Sequence, residues 1–131
     1  MIVVDASALV AILFEEPEAA VFREFLLVNR GAVLSPVGYW EASTRLRHAR
    51  GDGGVAELDV VIEWLGIDIA PVTERTTRLA SEAEKAFGKR TAAKLNLGDC
   101  FAYALARERG APLLFKGDDF SRTDIAPALP A

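Results

Sequence analysis

Short, largely apolar segments alternate with longer segments of helical period along this chain. The short segments cover residues 2–4, 32–35, 67–72 and 112–115, and each is typical of a buried β-strand. Two segments with helical spacing or capping signals separate each strand from the next. The order βααβααβααβ predicts a single α/β domain over residues 1–131, with a central parallel sheet of four or five strands and helices on both faces.

Local signals at helix ends support this order. Ser35 followed by Pro36 offers an N-cap and then a proline at the first helical position. Thr73 is the predicted cap of a helix that runs through Phe87, and Gly110 is placed to end the last helix. The helix starts and stops therefore agree with the strand pattern.

Composition narrows the class of protein. The 131 residues are 51% hydrophobic and 26% charged, with a formal net charge of −4, so nucleic-acid binding would have to be local. The apolar stretch at residues 6–14 is too short to span a membrane, and no basic residue precedes it as in a secretory signal. The single cysteine, Cys100, excludes an intramolecular disulfide. We expect a cytoplasmic protein with no membrane association.

Acidic side chains follow the predicted strands or open the helices after them. They are Asp5, Glu41, Asp99 and the pair Asp118/Asp119. Because side chains at the carboxyl ends of parallel strands and at adjoining helix starts converge on one crevice, we expect these acids to meet there. Their mutual repulsion is compensated if a divalent cation binds among them.

Ligand chemistry favours a hard cation. Oxygen ligands suit Mg²⁺, with Mn²⁺ as a substitute, whereas Zn²⁺ or copper would be expected with His or Cys. His48 is seven residues after Glu41, about 10 Å along a helix and too far to share its ion. Cys100 is rotated by roughly 100° from Asp99 on the same helix, and we expect it to be a small buried residue.

Each acid also has a purely structural explanation. Asp5 could cap the first helix, and Asp99 could be an acid favoured by the helix dipole. Glu41 could pair with Arg45, four residues on, and the two adjacent aspartates could form a turn. Basic residues near the acids could contact the phosphates of a polyanionic substrate or form a solvated rim. They are Arg45, Arg47, Arg50, Lys89, Arg90, Lys94, Lys116 and Arg122.

Three motifs resemble those of PIN domains of the VapC toxin type. They are the opening MIVVDASAL, the segment NLGDCFAYALA at 96–106, and LLFKGDDFSRTDI at 113–125. The resemblance spans essentially the whole chain. It implies that Asp5, Glu41 and Asp99 are the first three catalytic, metal-binding acids. The fourth acid is Asp118, with Asp119 as the alternative, and Ser7 supports the first carboxylate.

The resemblance implies a Mg²⁺-dependent endoribonuclease, the toxin of a toxin–antitoxin pair. Such a protein would hydrolyse transfer or ribosomal RNA with a metal-activated water, and Arg45, Lys116 and Arg122 would contact phosphates. A VapB-type antitoxin would insert a cation into the acidic crevice. The resemblance also implies a homodimer, and a heterotetramer or larger assembly with the antitoxin. The alternative is a non-catalytic PIN-like module that only binds another protein.

Helix faces offer two candidate dimer contacts. Val21, Phe25 and Val28 share one face of the segment 17–29, and apolar residues recur at helical spacing within 55–65. Burial in the core of one subunit explains both faces equally well.

Overall fold

A sheet of four short parallel strands organises the chain. The computed structural model describes residues 1–130. The strands are β1 (Val3–Val4), β2 (Val33–Leu34), β3 (Asp68–Ile69) and β4 (Leu113–Leu114), in the spatial order β3-β2-β1-β4. Each is shorter than its predicted segment, but all neighbouring pairs are parallel, as predicted.

Six helices connect the strands in the predicted pairs. They are α1 (Ala6–Leu13), α2 (Ala19–Val28), α3 (Pro36–Arg50), α4 (Asp52–Trp64), α5 (Glu74–Phe87) and α6 (Leu97–Arg109). No helix within residues 1–130 has the length and apolar character needed to cross a membrane. The predicted element order and fold class are confirmed.

The predicted helix ends are confirmed at several positions. The Ser35 hydroxyl accepts a hydrogen bond from the Val37 amide at 3.2 Å and caps α3. Thr73 forms a capping box with Thr76 at the start of α5. Gly110 adopts the left-handed conformation at the end of α6, which is favourable for glycine.

Alternating strand side chains divide the core between the two faces of the sheet. Val4 packs with residues of α1, α2, α3 and α4 on one face. Val3 packs with residues of α5 and α6 on the other. Both valines are essentially inaccessible to solvent. The sheet is therefore covered by helices on both faces. A ligand would have to approach the ends of the strands rather than a face of the sheet.

The buried face of α2 does not include the valines that were candidates for core burial. Ala19, Phe22 and Leu26 are buried, whereas Val21 and Val28 are 57% and 78% exposed. Phe25, between these two positions in sequence, is half-buried against the core. Core burial therefore does not explain Val21 and Val28, and the outward face of α2 is apolar at both positions.

Paired truncations in α2 test which face stabilises the fold. Leu26→Ala removes a fully buried side chain and should lower the free energy of unfolding by about 2–5 kcal/mol. Val28→Ala, the control, should change it by no more than about 0.5 kcal/mol. Urea denaturation measures both. Equal losses in the two variants would contradict the assigned inner face.

Candidate metal centre

The topology brings two acidic segments together at the carboxyl edge of the sheet. In the sheet, β2 and then β3 lie on one side of β1, and β4 lies on its other side. Ligand crevices of open parallel sheets form where the strand order reverses in this way. Asp5 directly follows β1, and Asp118 and Asp119 lie in the segment after β4.

Asp5 is buried at the start of α1 and also caps it. Its Oδ2 accepts a hydrogen bond from the Ser7 amide at 3.0 Å, and its residue is only 5% exposed. Burial raises the pKa of Asp5, and the charge of Asp119 adds to this rise, while hydrogen bonds from Ser7 oppose it. The capping explanation is therefore correct, and it holds the carboxylate at the crevice.

Asp99 has the same double role at the start of α6. Its Oδ2 accepts from the Asn96 amide at 3.0 Å, and its own amide donates to Asn96 Oδ1 at 2.8 Å. Burial raises the pKa of Asp99 to about 6, and the charges of Asp5 and Asp119 add to the rise. The hydrogen bond from the Asn96 amide opposes it. The capping box fixes this second carboxylate.

Glu41 reaches the same place from the second turn of α3. It is half-buried, and burial raises its pKa to about 7, with further increases from Asp5 and Asp99. Arg45 opposes this shift, but the ion pairs of residues 1–130 do not include Glu41 with Arg45. Pairing with Arg45 therefore does not explain where Glu41 lies.

Three acidic side chains lie close enough for the charge of one to affect the pKa of another. Asp5 raises the pKa of both Glu41 and Asp99, and Asp99 raises that of Glu41. We call Asp5, Glu41 and Asp99 the acid cluster. Three carboxylates from three separate parts of the chain share a partly buried crevice, as the sequence predicts.

The two candidates for the fourth acid, Asp118 and Asp119, have different surroundings. Asp119, rather than Asp118, is the residue whose charge raises the pKa of Asp5 and Asp99. Asp118 lines a neighbouring groove, and its carbonyl accepts from the Ser121 amide at 3.1 Å and from its hydroxyl at 2.6 Å. The electrostatic effect on Asp5 and Asp99 favours the alternative, Asp119, as the acid nearer to the cluster.

Ser7 and Lys116 connect the acid cluster to the segment after β4. The Ser7 hydroxyl accepts a hydrogen bond from the Lys116 amide at 3.0 Å. Lys116 Nζ is 2.8 Å from Glu16 Oε2 and 3.6 Å from Glu18 Oε2. Lys116, a predicted phosphate contact, is therefore already paired with two acids, and no local sequence pattern indicates this pairing.

Other candidate residues lie around the crevice. Arg45 and Lys89 are close enough to lower the pKa of Glu41 and of Asp99, respectively. Arg122 and His48 are exposed. Cys100 is a buried free thiol, as predicted.

The donor set suits a cation that keeps most of its water. Within residues 1–130, no three His, Cys, Asp or Glu side chains are arranged to share one metal ion. Asp5 and Asp99 each have an oxygen bonded to a backbone amide. Mg²⁺ commonly binds through one or two carboxylates and several waters. The carboxylates of Asp5 and Asp99 can supply this small number of oxygen ligands, and waters would supply the others.

A groove lies next to the segment that follows β4. It has a volume of about 1020 Å³ and lies between the start of α2 and the segment after β4. Lys116 and Asp118 line it together with mostly apolar side chains, whereas the acid cluster does not contribute to its wall. The acid cluster and this groove are therefore separate parts of the surface.

The fold and the acid cluster define a PIN-domain protein, and the model of that family matches residues 2–126. The chain belongs to this family, and within it to the VapC ribonucleases. It is 41% identical over 130 residues to Ribonuclease VapC30 of Mycobacterium tuberculosis, covering 98% of this chain and 99% of the relative. It is 38% identical over 125 residues to Ribonuclease VapC of Mycolicibacterium smegmatis, covering 95% and 97%.

Solved structures show the same fold at low sequence identity. Mycobacterium tuberculosis VapC20, a sarcin-ricin loop cleaving toxin, superposes with a TM-score of 0.79 at 17% identity over 99% of this chain and 100% of that chain. VapBC2 from Rickettsia felis, bound to a DNA fragment from its promoter, gives 0.77 at 15% identity over 97% and 96%. These likenesses support the fold assignment.

Titration of the metal-free protein tests the electrostatics of the acid cluster. Folding raises the pKa of Glu41 from 4.5 to about 7 and that of Asp99 from 3.8 to about 6. The folded state therefore binds more protons than the unfolded state, so stability should fall as pH rises from about 4 to about 7. The melting temperature in EDTA measures this fall. Glu41→Gln should flatten it, and an unchanged pH slope in that variant would contradict the assigned repulsion.

Proposed function

We propose that this protein is a metal-dependent endoribonuclease and the toxin of a VapBC-type toxin–antitoxin pair. The observation that carries the proposal is the acid cluster, in which the buried Asp5 and Asp99 lie close enough to the half-buried Glu41 to raise its pKa. Membership of the VapC ribonucleases agrees with this chemistry.

The metal is proposed to be Mg²⁺, with Mn²⁺ able to replace it. Asp5 and Asp99 would hold it, and Glu41 and Asp119 would complete the site directly or through water. Bound there, the cation supplies an activated water and neutralises charge that develops on the scissile phosphate.

The protein's own groups orient the reaction. The backbone amides of Ser7 and Asn96 hold the two aspartates in place through their capping bonds. Arg45 and Lys89 flank the acids and are suited to contact RNA phosphates. His48 is exposed and Cys100 is a buried thiol, so neither is proposed as the nucleophile, and water is assigned that role.

The proposed partner is a VapB-type antitoxin, and the proposed substrate is a transfer or ribosomal RNA in the cytoplasm. An antitoxin Arg or Lys would be favourable among acids that repel one another. The proposed oligomers are a homodimer, and a heterotetramer or larger with the antitoxin. A solved relative from Rickettsia felis is itself a VapBC complex.

Cleavage of total cellular RNA by the purified protein tests the activity. Cleavage should require Mg²⁺ and stop in EDTA. Asp5→Asn and Asp99→Asn each remove the charge of a proposed metal ligand. Each should lower the cleavage rate by more than about 100-fold, because losing a residue that only supports a ligand already costs about 10- to 100-fold. Fragments resolved by gel electrophoresis measure the rate.

Asp68→Asn is the matched control for these variants. Asp68 is exposed on β3, at the far edge of the sheet from β4, and its loss should leave cleavage unchanged. Undiminished cleavage by Asp5→Asn would refute the metal mechanism. A wild-type protein that binds an antitoxin but cleaves no RNA would instead identify a binding module.

The two adjacent aspartates allow a direct comparison. Asp119→Asn should reduce the cleavage rate by about 10- to 100-fold, because Asp119 is the one that acts on Asp5 and Asp99. Asp118→Asn should have little effect. Measuring the Mg²⁺ concentration for half-maximal rate in both variants separates them, and the opposite ranking would restore Asp118 as the fourth acid.

A further inference from the structure

Gly98 lies directly against the side chain of Glu41. It is the second residue of α6, next to Asp99, and it is buried. A Cβ atom built on Gly98 would overlap both carboxylate oxygens of Glu41. The Glu41 carboxylate therefore occupies the space that any other residue at position 98 would fill.

Backbone conformation does not account for glycine at this position. Gly98 is within the helix rather than at a left-handed turn such as Gly110. Glycine inside a helix is less favourable than alanine. The feature that only glycine provides here is the absence of a side chain facing α3.

We propose that Gly98 is a positioning residue for the acid cluster. Its missing side chain lets the Glu41 carboxylate from α3 reach the first turn of α6, which carries Asp99, near Asp5 at the start of α1. This inference deepens the proposed function and rests on it, since it takes the acid cluster to be the site that binds the cation. The physical claim is that Gly98 acts on cation binding only through Glu41.

The overlap is one that the fold can relieve locally. Glu41 is half-buried, and the overlapping atoms are the far end of its flexible side chain. Gly54 is a contrast, because a Cβ there would lie 2.6 Å from the Leu46 carbonyl oxygen, a backbone atom. Gly98→Ala should therefore fold normally and displace the Glu41 carboxylate from Asp5 and Asp99.

A double-mutant cycle tests the proposal with Mn²⁺ binding as the readout. Free Mn²⁺ is measured by electron paramagnetic resonance for the wild type, Gly98→Ala, Glu41→Ala and the double variant. Gly53→Ala is the matched control, because Gly53 is also helical and a Cβ there meets nothing within 4 Å. Thermal unfolding monitors folding, and a crystal structure of Gly98→Ala locates Glu41.

Gly98→Ala should weaken Mn²⁺ binding about tenfold or more, and Gly53→Ala should leave it unchanged. In the Glu41→Ala background, Gly98→Ala should have no further effect, since residues that act through one another are non-additive. The proposal would be overturned if the effects of the two substitutions on Mn²⁺ affinity multiplied in the double variant, or if Gly98→Ala bound Mn²⁺ as the wild type does. It would also be overturned if Gly98→Ala did not fold, or if its Glu41 carboxylate had not moved.

The same variants separate this inference from the proposed function. If the cycle behaves as expected but the wild type cleaves no RNA, the ribonuclease proposal fails and the positioning role stands. If the wild type cleaves RNA and Gly98→Ala cleaves it equally well with equal Mn²⁺ affinity, the positioning role alone fails.

Discussion

Repulsion among carboxylates in a partly buried crevice is the constraint on which the functional architecture depends. Burial disfavours the charged form of each acid, and proximity to the others disfavours it further. Such an arrangement persists only because the surrounding fold stabilises it. Two capping bonds, at Asp5 and at Asp99, are part of that support. A helix N-terminus also favours negative charge through its dipole, so the fold offsets some of the repulsion that it creates.

Structural and chemical roles coincide in the same side chains here. Asp5 caps α1 and Asp99 completes the capping box of α6, so losing either side chain removes a helix cap as well as a charge. Caps of this kind contribute about 1 kcal/mol. Retaining an oxygen acceptor, as asparagine does, separates the two roles better than truncation to alanine. Stability and chemistry at this site are therefore coupled through individual oxygen atoms.

The fold class and the meeting of Asp5, Glu41 and Asp99 could be predicted from the sequence because both depend on local patterns. The order of the strands along the chain followed from short apolar runs, and Asp5 and Asp99 followed from strand ends and helix starts. Three-dimensional relations were not accessible in this way. The pairing of Lys116 with Glu16 joins residues far apart in the chain, and the choice between Asp118 and Asp119 depends on how one turn orients neighbouring side chains. The space beside Gly98 is visible only once α3 and α6 are packed together.

Both outer strands of the sheet are unsuited to accept a strand from another molecule. β3 has only two residues, both exposed, and one of them is Asp68; short, charged borders of this kind resist addition of a further strand. Along β4, Leu113 donates to the Ala126 carbonyl at 2.9 Å and accepts from the Ala128 amide at 2.8 Å. The chain's own terminal segment thus covers that border, and uncontrolled growth into aggregates through the sheet is disfavoured at either side.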